Sequence, residues 1–219
     1  MPTSACAMHC RYCFRKNYPY ETADKHYENE LESLRQDETI QEIILSGGDP
    51  LSLSNESLDQ LLSRLQEIPH IKRIRFHSRF PIGIPERIDE EFLQLLKKFT
   101  FQFWFIVHVN HPVELDEDVL NALSHIRKLG VPVLNQAVLL KGVNDQEAIL
   151  EALFRKLANH GIFAYYLHQL DKVQGSAHFE VSKERGLELI RHLEQSLPGY
   201  AVPKYVQEIQ GEPSKTGIN

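Results

Sequence analysis

Three cysteines, Cys6, Cys10 and Cys13, stand at the start of the chain in the spacing C-x3-C-x2-C, and no cysteine occurs later. Soft thiolates this close together can ligate one metal centre, and iron–sulfur clusters take such ligands. A cubane [4Fe–4S] cluster held by only three cysteines keeps one iron without a protein ligand, open to a small molecule that could receive an electron. An ordinary electron-carrier cluster needs a fourth cysteine, which is lacking. Zinc is the rival, since His9 could join the thiolates in a four-coordinate site, although its adjacency to Cys10 makes joint chelation awkward. A disulfide framework does not suit an odd number of cysteines without a secretion signal.

Other chemistry-bearing residues lie farther along. Gly47-Gly48-Asp49 would let the backbone approach a ligand closely, and the Asp49 carboxylate could hold an ammonium; a strand-to-helix turn explains the glycines equally well. Arg75, His77 and Arg79 alternate and so share one side of a strand, where buried arginines would call for an anion such as a phosphate. His108 and His111 resemble loop histidines held by hydrogen bonds more than a metal pair. Asp171 alone reads as a turn or cap residue. Lys215 alone reads as an exposed lysine in a Gly/Pro-rich tail.

The elements that must position these residues repeat. A polar helix is expected over Glu21–Gln36, then a short buried strand over Glu42–Leu45 and a helix from about Glu56 to Gln66, capped by Ser54 or Asn55. Strand-like runs follow at Arg73–His77, Gln102–His108, Val131–Leu139 and Phe163–His168. Helices fall near Asp89–Lys98, Asp116–Leu129 and Gln146–His160. A helix over Lys183–Ser196 and a short strand near Ala201–Val206 come last. The strands recur at roughly 30 residues, the length of a βα unit. Such alternation predicts an α/β fold, a parallel sheet covered by helices, curled by right-handed crossovers into a full or partial (β/α) barrel. The polar motifs then sit at the C-terminal ends of successive strands, where barrels of this kind carry function.

At 219 residues the chain suits one α/β domain, and no linker or low-complexity tract marks a second. The net charge of −6 gives no electrostatic reason to expect nucleic-acid binding. No apolar run approaches the roughly 20 residues needed to span a bilayer, and Met1–Ala5 lacks the features of a signal peptide. A cytoplasmic setting is expected.

The cysteine loop, with Tyr12 beside the last thiol, resembles that of the radical S-adenosylmethionine (SAM) enzymes. Cys10-Arg11-Tyr12-Cys13-Phe14-Arg15 is similar to the lysine 2,3-aminomutase branch, and the resemblance continues from Cys6 to Thr216. It implies a [4Fe–4S] cluster on Cys6, Cys10 and Cys13, with SAM as its partner. Ser46-Gly47-Gly48-Asp49-Pro50-Leu51 resembles the segment that binds the amino group of SAM, implying roles for Gly47, Gly48 and Asp49. His108 and Gln136, within His108-Val109-Asn110-His111-Pro112 and Asn135-Gln136-Ala137-Val138-Leu139-Leu140, match further SAM contacts.

The segment Arg73–Pro81 resembles one whose last arginine, here Arg79, helps bind pyridoxal 5′-phosphate. Gly211-Glu212-Pro213-Ser214-Lys215-Thr216 resembles the segment whose lysine, Lys215, bonds covalently to that cofactor. Arg15 matches the arginine that pairs with the carboxylate of the substrate, L-lysine. Asp171, in Tyr165–Gly175, and Glu208 match the carboxylates that hold its side-chain ammonium. Many family members carry Asp where Glu208 stands, whereas the type acting with elongation factor P carries Glu. The resemblance therefore implies an isomerase making β-lysine, an electron donor such as flavodoxin, and a link to elongation factor P modification. A homo-oligomer is compatible with it. It also implies a strand before the cysteine loop that Met1–Ala5 does not supply, so the first strand of a partial barrel is expected to be missing. Two alternatives are a non-catalytic zinc or iron–sulfur protein and a radical SAM aminomutase for another amino acid.

Overall fold

The alternation expected from the sequence is realised. The computed structural model describes residues 1–16 and 27–219, so the part of the first expected helix at 21–26 lies outside the described residues. The chain divides into two compact units, Met1–Met8 with Pro19–Ile106 and Asn121–Pro132, and His9–Tyr18 with Val107–Leu120 and Val133–Asn219.

The first unit contains α1 (Glu28–Gln36), β1 (Glu42–Leu45), α2 (Asn55–Gln66), β2 (Arg73–Ser78), α3 (Phe80–Gly83), α4 (Glu90–Lys98) and β3 (Gln102–Val107) as far as Ile106. The helix starts follow cap chemistry. Ser54 accepts from the Ser57 amide at 3.1 Å, and Asp89 accepts from the Phe92 amide at 2.7 Å. β1 and β2 run parallel in the register Glu42↔Arg73 to Leu45↔Phe76. The core is aromatic: Phe76 stacks on Phe105 at 5.6 Å and meets Phe92 edge-on at 6.1 Å, all three fully buried.

Two expectations for this unit are corrected. β1 was expected to be buried, but Ile44 is 48% exposed; among the described residues β1 ends the strand order and pairs with β2 alone. The anion beside Arg75 is also not a ligand. Its Nε donates to Glu42 Oε1 at 2.9 Å, so the protein supplies the countercharge.

The second unit contains β4 (Val133–Val138), α6 (Glu147–Asn159), β5 (Phe163–His168), α7 (Lys183–Ser196), β6 (Lys204–Gln207) and β7 (Thr216–Gly217). The division crosses α5 (Glu117–Lys128). β4, β5 and β6 are parallel, and Leu150, Leu153, Phe154 and Leu157 of α6 pack with Leu189 and Leu193 of α7 in the core. A register shift between Asn135 and Gln136 pairs Gln136 with Tyr166 and Val138 with His168.

β7 was not expected. The tail runs antiparallel to β6, pairing Gln207 with Thr216 and Val206 with Gly217, while the Ile218 amide donates to Tyr205 O at 2.9 Å. Gly211, at φ 92, allows the return.

Candidate functional site

The residues singled out fall in both units. Cys6, Gly47, Gly48, Asp49 and Arg79 belong to the first; Cys10, Cys13, Arg15, His108, Gln136, Asp171, Glu208 and Lys215 belong to the second.

In the first unit they form one hydrogen-bonded chain. The strip that leads into Cys6 lies along the end of β1: Gly48 N donates to Thr3 O at 2.9 Å and Asp49 N to Ala5 O at 2.8 Å. Ser52 Oγ adds a bond to Ala5 O at 3.1 Å. The glycines are needed here. A Cβ at Gly48 would stand 2.0 Å from Ala5 O, and one at Gly47 would stand 2.7 Å from Thr3 O. The backbone that approaches Gly47 and Gly48 closely is thus the chain's own. Cys6 Sγ donates to Met8 O at 3.2 Å.

Asp49 is only 2% exposed, and its carboxylate accepts from Leu51 N at 3.0 Å, Ser78 Oγ at 2.8 Å and Arg79 N at 2.7 Å. Burial pushes its carboxyl above the ordinary range, and these donors pull it back. Asp49 thereby ties the end of β1 to the end of β2 and fixes where Arg79 begins α3.

In the second unit the Cys10–Cys13 loop closes as a turn, with Cys13 N donating to Cys10 O at 3.1 Å. The two residues between the thiols anchor it. Tyr12 Oη accepts from Asn110 Nδ2 at 2.5 Å, and Arg11 Nη2 meets His178 Nε2 at 3.1 Å with its guanidinium 5.0 Å from the Phe179 ring. Asn110 is in turn held by a buried network. Its Oδ1 accepts from Val138 N at 2.8 Å, and Asn144 Nδ2 donates to Asn110 O and Val138 O at 2.9 Å each. The motif marks Arg11 and Tyr12, but their partners His178 and Asn110 lie 167 and 98 positions away and are not readable from it. His111 accepts from Val113 N at 3.2 Å and caps a short turn with Glu114. His108 lies half-buried just after β3, and Arg15 stands 5.0 Å over the exposed Phe14 ring.

Asp171, Glu208 and Lys215 are brought together. Glu208 follows Gln207 and Lys215 precedes Thr216, so the β6–β7 pairing faces them across the next rung. Lys215 Nζ donates to Glu208 Oε1 at 2.7 Å. Burial first, then Glu208, pushes the Asp171 carboxyl up, while Lys215 pulls it down. Two further residues, Tyr166 and His168, belong to this group; both lie in the segment Tyr165–Gly175, in which the sequence assigns a role to Asp171 alone. Lys215 Nζ lies 5.8 Å from the Tyr166 ring centroid, and Tyr166 meets His168 edge-on at 5.5 Å. Burial, then the Lys215 charge, drives the His168 imidazole down to about 4 against the pull of Glu208, so it is neutral at physiological pH. His168 Nε2 and Gln136 Oε1 are buried without a hydrogen-bond partner among the described residues. Such orphans on adjacent strands suit a bound polar molecule.

The donor chemistry of the loop fits an iron–sulfur centre: Cys6, Cys10 and Cys13 are all outside disulfides and partly accessible. A ready-made cage is a different matter, since among the described residues no three His, Cys, Asp or Glu side chains are gathered to hold a metal ion. No helix among the described residues is long and apolar enough to cross a membrane.

The sequence profile of the radical SAM superfamily matches residues 1–154, and the chain belongs to that superfamily. Its sequence relatives include L-lysine 2,3-aminomutases. It is 45% identical over 217 residues to that of Escherichia coli (strain K12), covering 98% of this chain and 64% of the relative. It is 43% identical over 219 residues to that of Haemophilus influenzae, covering 99% and 65%. The chain thus spans just under two thirds of the length of these relatives. Among solved structures, SuiB of Streptococcus suis bound to S-adenosylmethionine aligns with a TM-score of 0.68 at 15% identity, over 95% of this chain and 49% of that one. A radical SAM methyltransferase from Sphaerobacter thermophilus aligns at 0.58 and 18% identity, over 77% and 51%. At these identities the likeness is one of fold, and it bears out the parallel α/β arrangement of the radical SAM type.

Proposed function

We propose that this chain carries a lysine 2,3-aminomutase site, an isomerase converting L-lysine to β-lysine, with elongation factor P modification as its setting in a reducing cytoplasm. The observation that carries the reading is the convergence of Asp171, Glu208 and Lys215 beside the neutral His168. Two carboxylates around one ammonium read out chain length, because a shorter substrate leaves them unpaired and repelling. The same doubly acidic group disfavours a glutamate-type substrate.

In this reading Cys6, Cys10 and Cys13 hold a [4Fe–4S] cluster, and Gly47, Gly48, His108 and Gln136 contact SAM. Asp49 keeps the glycine segment in shape. Arg79 and Lys215 hold pyridoxal 5′-phosphate, and Arg15 pairs with the substrate carboxylate through its planar fork. When bound, these cofactors supply the carbon radical and its delocalisation, with an electron from a donor such as flavodoxin. The protein's part is positioning. Asp171 and Glu208 fix the far end of the substrate, the Asn110–Asn144 network keeps the Cys10–Cys13 loop in register, and neutral His168 offers a hydrogen bond without adding charge. An anaerobic assay with L-lysine, SAM, pyridoxal phosphate and dithionite should yield β-lysine from the wild-type chain and none from Lys215→Ala. Failure of the reconstituted wild-type chain to form β-lysine would refute the reading.

A further inference from the structure

The ammonium of Lys215 sits in a defined setting. Glu208 Oε1 accepts from it at 2.7 Å, and the Tyr166 ring lies beneath it with its centroid at 5.8 Å. Asp171 feels the same charge, since Lys215 offsets the raising effect of burial and Glu208 on its carboxyl. His168, only 6% exposed, borders the group with Nε2 unpartnered and carries no competing positive charge. A carboxylate in contact, a second within electrostatic reach, an aromatic face and a neutral imidazole are what any primary ammonium on a flexible alkyl chain would select. The side chain of lysine ends in the same group on the same kind of stem as Lys215 itself.

We infer that Lys215 occupies, in the cofactor-free chain, the subsite of the substrate's side-chain ammonium, with Tyr166 as a specificity-determining wall. This rests on the aminomutase reading above and adds to it a self-blocked state. Lys215 already holds Glu208 Oε1, and a second ammonium on the same carboxylate would be repelled by it, so substrate and Lys215 compete there. Covalent capture of Lys215 by the cofactor's aldehyde carbon forms one C=N bond, releases water and a proton, and removes the ammonium from Glu208. Cofactor loading therefore precedes substrate binding, and lysine has little affinity for the unloaded chain.

The test is calorimetric titration of L-lysine into the full 219-residue chain prepared without pyridoxal phosphate. Lys215→Met keeps the stem and removes the ammonium, and Lys215→Gln is run beside it as a second uncharged variant. Both should bind lysine roughly tenfold tighter, or better, than the unloaded wild type, a free-energy gain of one decade in Kd. Adding Tyr166→Leu or Glu208→Gln should cancel the gain. Equal affinity in the unloaded wild type and both Lys215 variants overturns the inference. In that event, titrating lysine into the wild-type chain loaded with pyridoxal phosphate separates the two ideas. Binding there leaves the aminomutase reading standing without the self-block, and no binding removes both.

Discussion

A single methyl group at Gly48 should detach the strip that leads into Cys6. Built on the present backbone, the new Cβ stands 2.0 Å from Ala5 O, 2.6 Å from Ala5 C and 2.7 Å from Ser4 C. These are backbone atoms, so no side-chain rotation can relieve the overlap, and the strip must withdraw. The conflict is one of space and not of dihedral angle, since Gly48 is absent from the residues with positive φ. Withdrawal breaks three hydrogen bonds, Gly48 N to Thr3 O at 2.9 Å, Asp49 N to Ala5 O at 2.8 Å and Ser52 Oγ to Ala5 O at 3.1 Å. At about 1 kcal/mol net for each, the docked state loses about 3 kcal/mol, a factor of roughly 100 in the docking equilibrium.

Hydrogen exchange reads this directly. In Gly48→Ala the Gly48 and Asp49 amides should lose about two orders of magnitude of protection, while amides of the β2 core keep theirs. With Cys6 as a ligand of the proposed cluster, iron retained after anaerobic reconstitution should fall severalfold, because Cys6 directly follows the strip. Gly199→Ala is the control, since a Cβ there meets nothing within 4 Å. Unchanged protection at Gly48 and Asp49, with iron content equal to wild type, would refute the reasoning.

Gly186→Ala should cost about 1–3 kcal/mol in urea unfolding, because the Cβ would stand 2.1 Å from the Tyr205 hydroxyl, which is held by Gln169; a loss within error would refute it. Asn144→Ala leaves Leu140 N, Asn110 O and Val138 O without their side-chain partner in a fully buried setting and should cost about 3 kcal/mol, with a mild effect on the midpoint counting against the network. His168 has its folded pKa depressed from 6.5 to about 4, so its contribution is present above pH 6.5 and is lost as pH falls through the window down to about 4. With the Lys215 and Glu208 charges acting on it, wild type should lose about 2 kcal/mol more than His168→Gln between pH 7 and pH 5, and parallel pH profiles would refute the shift. Asp171→Ala should raise the KM for lysine markedly in the reconstituted assay, whereas unchanged lysine kinetics would remove Asp171 from the site.

Periodicity carried most of the fold. β5 and α7 match the sequence reading to the residue, and β1, α2 and α4 differ by one residue at most, because each is bounded by a cap or a turn whose chemistry is local. Burial was harder to read. Glu42–Leu45 is apolar enough for a central strand, yet its exposure depends on what lies beside it, which composition does not encode. β7 was missed for a similar reason: at two residues, Thr216–Gly217 is too short to show a strand pattern, its glycine disfavours one, and it is extended because β6 offers it an edge.

The candidate site shows the same division between what is local and what is not. Cys6, Cys10 and Cys13 announce themselves by type and spacing, whereas the Arg11 and Tyr12 contacts to His178 and Asn110 join residues 167 and 98 positions apart. Tyr166 and His168 are harder still. Their place beside Gln136 depends on one skipped residue, since Asn135 pairs with Ala164 but Gln136 pairs with Tyr166. Without that shift the later pairs would slip by one, and period-2 alternation would turn the opposite set of side chains toward Gln136. Deleting Tyr165 removes the extra residue, so the deletion variant should keep the β4–β5 pairing and the Tyr166–His168 side of β5 while losing the local bend. If the bend itself brings Tyr166 under the Lys215 ammonium, that variant should lose the roughly tenfold gain in lysine affinity that Lys215→Met confers on the unloaded chain. Retention of the gain would show that strand pairing alone, without the bulge, is enough to build the ammonium subsite.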